Sequence, residues 1–487
     1  FESGFENLGR WIHAHPKRVI LVMLLFFASL ASNIPSIEVD TSTEAFFSKK
    51  DQTRIDYDRF REQFGRDEIV LALIHPKNVF DLEFLEKLKE FHEDLEEKVP
   101  HLDEVQSLVN VTSMRGEDGE LIIEELMEDW PEDDKGIREL KDRVLRNKYY
   151  RNFLVSEDGQ YTTVVVRSNA FSDYGQGMDQ DQMLADGFEE DEGNPIAGDD
   201  KPRLLTEEQN SEFVVAIQSL ADRHRSEDFP IDLGGSPVMV HDLKKAMFSD
   251  MPVFMLSSLG VIALLLVILF RRFSGLVLPL LTVILSLLTA LGLVAVTGTK
   301  LTIVMQILPS FLLAVGIGYS MHLLVIYYRH LRDHGDKGEA IAYAMGHSGL
   351  AILITSLTTA GGLLSFVPVK VAPVSDLGLF GAAGVLFCVS FTLVLLPAML
   401  SVIPESKHPV PAKNLHLQKN SLTPYSFADW MLKSCGDFAV NKPWTVIGIS
   451  LLIALMSSFG AAQLSFSHNP IAWLPDDNSL RSATEAI

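Results

Sequence analysis

Ile303–Tyr328 reads IVMQILPSFLLAVGIGYSMHLLVIYY, a run with no Asp, Glu, Lys or Arg. A bilayer core takes about 20 apolar residues per helix, and a backbone without water must close its own hydrogen bonds. The run therefore reads as a membrane span. Val253–Phe270, Leu276–Thr297, Leu350–Phe366 and Leu377–Leu400 are further apolar runs near that length. The joints RRFSG and TGTK between the first of them suit only antiparallel neighbours. One such run fits a buried helix of a water-soluble core, but five in series do not.

Outside this block the composition changes. The chain has 487 residues and a net charge of −23. Ser36–Asp250 holds 52 acidic and 25 basic residues, −27, so everything else sums to +4. One acidic, water-soluble domain is thus inserted into a slightly basic membrane protein. Its acidic surface excludes nucleic acid as a partner class, because phosphate binding needs clustered Lys and Arg. Cys388 lies inside a span and Cys435 beside one, so neither a disulfide framework nor a thiolate metal site is implied.

Pro16-Lys17-Arg18 leads into the apolar run Val19–Ala31, which reads as a signal peptide or as a first span. Arg271-Arg272 follow the second span, Arg329, Arg332 and Lys337 the fourth, and Lys407, Lys413, Lys419, Lys433 and Lys442 the sixth. Lys300 and Lys370 are the basic residues of the opposite joints. Basic residues on alternate joints put those joints in the cytoplasm and the acidic insert outside it.

Within the insert, helices are predicted over Gln52–Phe64, Asp81–Lys98, Gly136–Asn147 and Thr206–Arg225. Strands are predicted over Glu68–Ile74, Val105–Val111, Tyr161–Arg167 and Ile231–Leu233. The alternation suggests βαβ units in an α+β domain. Acid-rich Glu117–Asp134 and Asp179–Asp200 interrupt it; the second lacks calcium-loop spacing and reads as a solvated loop. A short surface helix is expected over Glu339–His347, and Leu422–Phe438 reads as an interfacial linker carrying Trp430.

A seventh span, Trp444–Leu464, repeats the start of the chain at a shift of 427 residues. Gly9 meets Gly436, Trp11 meets Phe438, Pro16 meets Pro443 and Phe46 meets Trp473. The match continues outside the span, so Val19–Ala31 reads as an anchor. The expected organisation is residues 1–35, interfacial segment and first span; 36–250, insert; 251–403, five spans; 404–443, linker; 444–464, seventh span; 465–487, start of a second insert. A second half beyond Ile487 is expected, as in tandem-repeat transporters.

The order span, insert, five spans, repeated, resembles the RND superfamily, in its MmpL/Patched-like branch of lipid and hydrophobe transporters. Gly235-Ser236-Pro237-Val238 is similar to that family's G-x-P-V before the second span. Ala314–His322 (AVGIGYSMH) follows its G-I-D-Y-x-x-H pattern, and Thr355–Gly362 (TSLTTAGG) its T-S-L-T-T-x-x-G. Phe380-Gly381 and Pro397-Ala398 match its sixth span. The resemblance implies a multi-pass protein of the bacterial inner membrane with about seven helices in this chain, a periplasmic α+β porter domain and a sterol-sensing-like bundle. It implies export of a lipid or other hydrophobic molecule, driven by an ion gradient. The family's Asp before the Tyr is Gly318 here, and no Asp or Glu lies inside the five central runs.

An intramembrane ionisable group is functional by default, which singles out His322. Tyr319, Thr355, Thr358 and Thr359 are the other ion-coupling candidates, against ordinary bonding to neighbouring helices and to i−4 carbonyls. Gly316, Gly318, Gly361 and Gly362 are candidates for close helix packing or a hinge. No catalytic triad, metal motif or cofactor loop stands out, so a transporter rather than an enzyme is expected. The expected partners are the hydrophobic substrate, membrane lipids, the second half, and a further copy or periplasmic protein. A non-transporting sterol-sensing-like receptor or regulator, or an envelope scaffold, is the alternative.

Overall fold

The computed structural model describes residues 2–48, 50–64, 68–117, 120–151, 153–169, 205–404 and 427–464. The Asp179–Asp200 loop and residues 465–487 lie outside them.

The chain opens with α1 (Glu2–Ala14) and α2 (Pro16–Ala31), then forms α3 (Gln52–Phe64) and β1 (Ile69–Ile74). There follow α4 (Leu82–Lys98), β2 (Leu102–Gln106), β3 (Thr112–Glu117), β4 (Glu120–Glu125), α5 (Asp134–Arg146), β5 (Thr162–Ser168), α6 (Glu207–His224) and β6 (Ile231–Gly234). The main sheet has the order β2-β5-β1-β6, with every neighbouring pair antiparallel. Helix α4 joins β1 to β2, and α6 lies between β5 and β6. Each helix thus connects strands that run parallel with an antiparallel strand between them, the split βαβ arrangement.

Apolar periodicity builds this domain. Asp81 caps α4 by accepting from the Phe84 amide, and Phe84, Leu85, Leu88, Phe91 and Leu95 are buried on one side. Val70, Ala72 and Ile74 of β1 and Val164 and Val166 of β5 meet them in one core. Each such side chain contributes about 1.5–3 kcal/mol of burial. Two expectations change. The second strand is Leu102–Gln106 rather than Val105–Val111, because Ser107 starts a turn in which Val111 N donates to Ser107 O. Acid-rich Glu117–Asp134 is largely ordered: β4 pairs with β3 as a hairpin, and α5 starts at Asp134 behind the Asp133 cap.

The second core is helical. It is built by α7 (Ser236–Phe270), α8 (Phe273–Val296), α9 (Leu308–His334), α10 (Lys337–Leu364), α11 (Ala372–Ser390), a wide turn Phe391–Leu395 and α12 (Leu396–Val402). At about 1.5 Å per residue α7 is about 52 Å long, well beyond the ~30 Å of a bilayer core. Its first turns therefore belong to the soluble domain, where Val238 is buried in the sheet core. Two short strand-like bridges, Val39–Leu301 and Phe47–Val371, tie the segment after α2 to the bundle ends beside that domain.

Glu339–His347 is not a separate surface helix. Asp336 caps one continuous helix from Lys337 to Leu364. Ala340, Ile341, Ala344 and Met345 are buried in that stretch because α1 packs along it. A Cβ on Gly9 would stand 3.0 Å from Ala342 Cα, so glycine is what lets the two helices approach. Arg10 pairs with Glu339 at 3.4 Å, and His13 Nδ1 lies 3.0 Å from Ser401 Oγ.

The remaining described unit holds α13 (Phe427–Asn441) and α14 (Pro443–Ala461). The part of Leu422–Phe438 that is described is helical. The break between α13 and α14 falls at Lys442, φ −132° and ψ 57°; that between α1 and α2 falls at His15, φ −129° and ψ 42°.

Candidate functional site in the helical bundle

Helix α9 carries the unusual residues, and its two sides differ. On the inner side Gly316 faces α8 and α11: a Cβ there would meet Val283 Cγ2 at 3.0 Å and Cys388 Sγ at 3.1 Å. Ser286 Oγ lies 3.3 Å from that sulfur. Gly316 is therefore a packing residue. Tyr319 is buried beside it, and its hydroxyl has no hydrogen-bond partner among the described residues. Thr359 lies near this hydroxyl, but no bond of normal geometry closes between them. Ser320 Oγ is 3.4 Å from Thr392 Oγ1, a weak contact.

The other side is open. Ala314, Gly318, His322 and Val325 fall on one helical face, with His322 exposed and free of hydrogen bonds and ion pairs among the described residues. Gly318 has nothing within 4 Å of its Cβ position. On α10, Ala351, Thr355, Thr358 and Gly362 likewise form an exposed face. Thr355 donates to Ala351 O at 2.8 Å, Thr358 to Thr355 O at 2.9 Å and Thr359 to Thr355 O at 2.8 Å. Those hydroxyls are bonded to their own helix and do not bond His322.

The expected cluster is therefore split. Tyr319 and Thr359 point into the bundle, whereas His322, Thr355 and Thr358 lie on open faces of two helices packed against each other. Gly361 and Gly362 have nothing described within 4 Å of their Cβ positions. The cause is the phase of the helix. Residues 319 and 322 are three apart, about 300° of turn, and the bundle boundary passes between them.

One carboxylate escaped the sequence reading. Asp376 precedes the apolar run Leu377–Leu400, but the helix begins at Ala372, so Asp376 lies in its second turn. It is half-buried and has no hydrogen bond or ion pair among the described residues. The helix start at Val371-Ala372-Pro373 was the available signal, since proline favours the first turn. Among the described residues no group of three or more His, Cys, Asp or Glu is arranged to hold a metal.

The soluble domain contains a Ser–His–Glu chain that sequence spacing did not reveal. Ser107 Oγ lies 3.1 Å from His92 Nδ1, and His92 Nε2 lies 3.3 Å from Glu96 Oε1. The geometry is that of a nucleophile, base and orienter. Ser107 is fully buried, however, and accepts the Val109 amide at 3.1 Å, so it cannot meet a substrate. The chain is structural. Burial is the main cause that holds the His92 pKa below the usual histidine range, with Glu96 opposing it. An unfolded chain takes up this proton near pH ~6.5 and the folded one at lower pH. Stability from this group is thus complete above that range and is lost as pH falls below it. The melting temperature is expected to drop between about pH 7 and about pH 5, more steeply than in His92→Gln; parallel slopes would show that His92 plays no part.

Among the described residues seven helices are long and apolar enough to cross a membrane, and they accompany a separate α+β domain. That combination defines a multi-pass membrane protein. The MMPL family model, of the RND superfamily, matches residues 204–444 of this chain. The chain is 23% identical over 399 residues to the Methanocaldococcus jannaschii membrane protein MJ1562, covering 81% of this chain and 91% of that one. It is 23% identical over 205 residues to the Mycobacterium tuberculosis heme uptake protein MmpL11, 41% of this chain and 21% of that one. Over 120 residues it is 28% identical to the Rhodopseudomonas palustris hopanoid transporter HpnN, 24% of this chain and 14% of that one. The chain thus spans most of the first of these relatives and a small part of the other two.

Proposed function

We propose that the chain acts as an RND-type transporter that moves a lipid or other hydrophobic molecule out of a bacterial inner membrane. The acidic domain is the periplasmic porter, and events at α9 drive its motion. The observation that carries this reading is the open face of α9 and α10. An exposed ionisable His322 costs free energy against lipid, so it stands there to meet a partner or an ion. The match to the MMPL family model and the similarity to a hopanoid transporter support the substrate class. Gly318 supplies no carboxylate, so the ion passes through His322, with Asp376, five residues past the Phe47–Val371 bridge, as a carboxylate at the porter end of the bundle. The absent carboxylate also favours one alternative, a sterol-sensing-like lipid receptor that moves nothing.

The test is reconstitution of the full-length protein in liposomes with acyl-labelled fluorescent phosphatidylethanolamine. Lipid movement is expected under an imposed pH gradient and should stop when an ionophore collapses it. Asp376→Asn is expected to slow it. Binding without gradient-dependent movement would decide for the receptor.

A further inference from the structure

A cavity of about 590 Å³ lies where the soluble domain meets the bundle. Its lining carries five carboxylates and four cations, so neither sign of charge dominates it. One wall is α3, which presents Arg54 and Arg61.

Helix α3 is attached unlike its neighbours. Helices α4, α5 and α6 each bury apolar side chains in the sheet core, such as Phe91, Val144 and Phe213. Among the described residues, α3 gives none to that core and none to the helical one. A charged face holds it instead. Arg54, Asp58 and Arg61 are four and three residues apart, so they share one side of the helix. Asp58 lies between the two arginines, 3.4 Å from Arg54 Nε and 2.8 Å from Arg61 Nη2. Both arginines also reach Glu44. Arg61 Nη1 lies 2.9 Å from Glu44 Oε1, and Arg54 donates to the Glu44 carbonyl.

Glu44 is buried and stands on a strap that is itself fixed. Thr41 donates to Val240 O on α7 at 3.2 Å. Leu301 N donates to Glu38 O, and Asp40 N to Leu301 O, both at 2.8 Å. Lys300 pairs with Glu38 at 3.0 Å, and Phe47 forms a bridge with Val371. The strap is thus tied to α7, to the joint between α8 and α9, and to the joint before α11. The two halves of the contact therefore differ. One belongs to the anchored end of the bundle, and the other to a helix without a buried apolar anchor. A segment with few buried apolar contacts is the part of a fold that opens at least cost.

We infer that α3 is a lid on this cavity, latched by Arg54 and Arg61 on Glu44. Opening returns all three groups to water, so the charges that lose each other are hydrated rather than stranded. The sheet core keeps every apolar contact while the lid moves, because α3 supplies none of them. The lid sets when the space between domain and bundle communicates with the surrounding water. The inference goes beyond the transport reading and stands without it.

The test is the rate of thiol labelling of the purified protein in detergent. Cys435→Ser removes the exposed native thiol among the described residues, and Cys388 stays buried in the bundle. Leu205→Cys then places a reporter in the cavity lining at an 8% exposed position. The probe is N-ethylmaleimide, which is neutral, so that loss of two positive charges does not itself draw reagent in. Releasing the latch with Arg54→Gln and Arg61→Gln together is expected to speed labelling of the reporter at least about tenfold. Arg61→Gln alone should give a smaller rise, since Arg54 still holds the Glu44 carbonyl. Val164→Cys, fully buried in the sheet core, reports unfolding of the domain and should stay unlabelled with the latch intact or released. An unchanged rate at position 205 in the double variant would overturn the inference. So would faster labelling at both 205 and 164, which would show that the arginines support the whole domain and not a lid. Failure of lipid movement in liposomes would overturn the transport reading and leave this one standing.

Discussion

Gly235→Ala is expected to destabilise the chain by about 3 kcal/mol or more, the largest single-residue effect anticipated here. Gly235 joins β6 to α7 with φ 107° and ψ 163°, a conformation open essentially only to glycine. A Cβ on this residue would stand 2.1 Å from Ile69 O, a backbone atom of β1. Because the obstacle is main chain, it yields only if α7 separates from the sheet. The first glycine of G-x-P-V therefore welds the soluble domain to a membrane helix. Gly260→Ala, farther along the same helix with nothing within 4 Å, is the matched control and should gain about 0.5–1 kcal/mol from helix propensity. Thermal unfolding in detergent compares the two. Equal melting temperatures would mean that the junction is looser than its geometry indicates.

His322→Ala is expected to cut gradient-driven lipid movement by about tenfold or more while leaving the melting temperature unchanged. His322 is exposed and bonded to nothing described, so its removal costs no packing and no hydrogen bond. Tyr319→Phe separates the two sides of α9. The Tyr319 hydroxyl is buried without a hydrogen-bond partner among the described residues, and such a group costs about 1–3 kcal/mol. If it serves only the fold, phenylalanine should raise stability and leave transport alone. If it passes an ion, transport should fall although the protein is more stable. Full activity in both variants would move the coupling site off α9, and Asp376 would then be the residue to follow.

The two sides of α9 also show where sequence reading stopped. Val253–Phe270 and its neighbours were visible as spans because hydrocarbon length and backbone bonding leave no other choice. The α4 stripe from Phe84 to Leu95 was visible for the same local reason, a 3.6-residue period. Three boundaries slipped, two where packing or pairing between elements acts and one at a local proline. Lys337–Leu364 runs as one helix because α1 covers its first turns. β4 forms in an acid-rich stretch because β3 pairs with it. Asp376 falls inside a helix whose first turns are set by proline and not by hydropathy. The chain Ser107–His92–Glu96 was out of reach, since a strand end must fold back onto α4 before its serine and histidine meet.

What the residues determined alone is the kind of molecule: apolar helices around a separate acidic domain, with their order and approximate ends. Hydrophobic length, charge segregation and helical period are local properties, and they survive without knowledge of any contact. What tertiary structure decided is which residues meet. It turned Tyr319 inward and His322 outward, set Gly316 against Cys388 and Gly235 against Ile69, and enclosed a charge-balanced cavity between segments far apart in the chain. Those outcomes depend on the rotation of each helix and the crossing of its neighbours, and a side chain 100° out of phase belongs to a different surface.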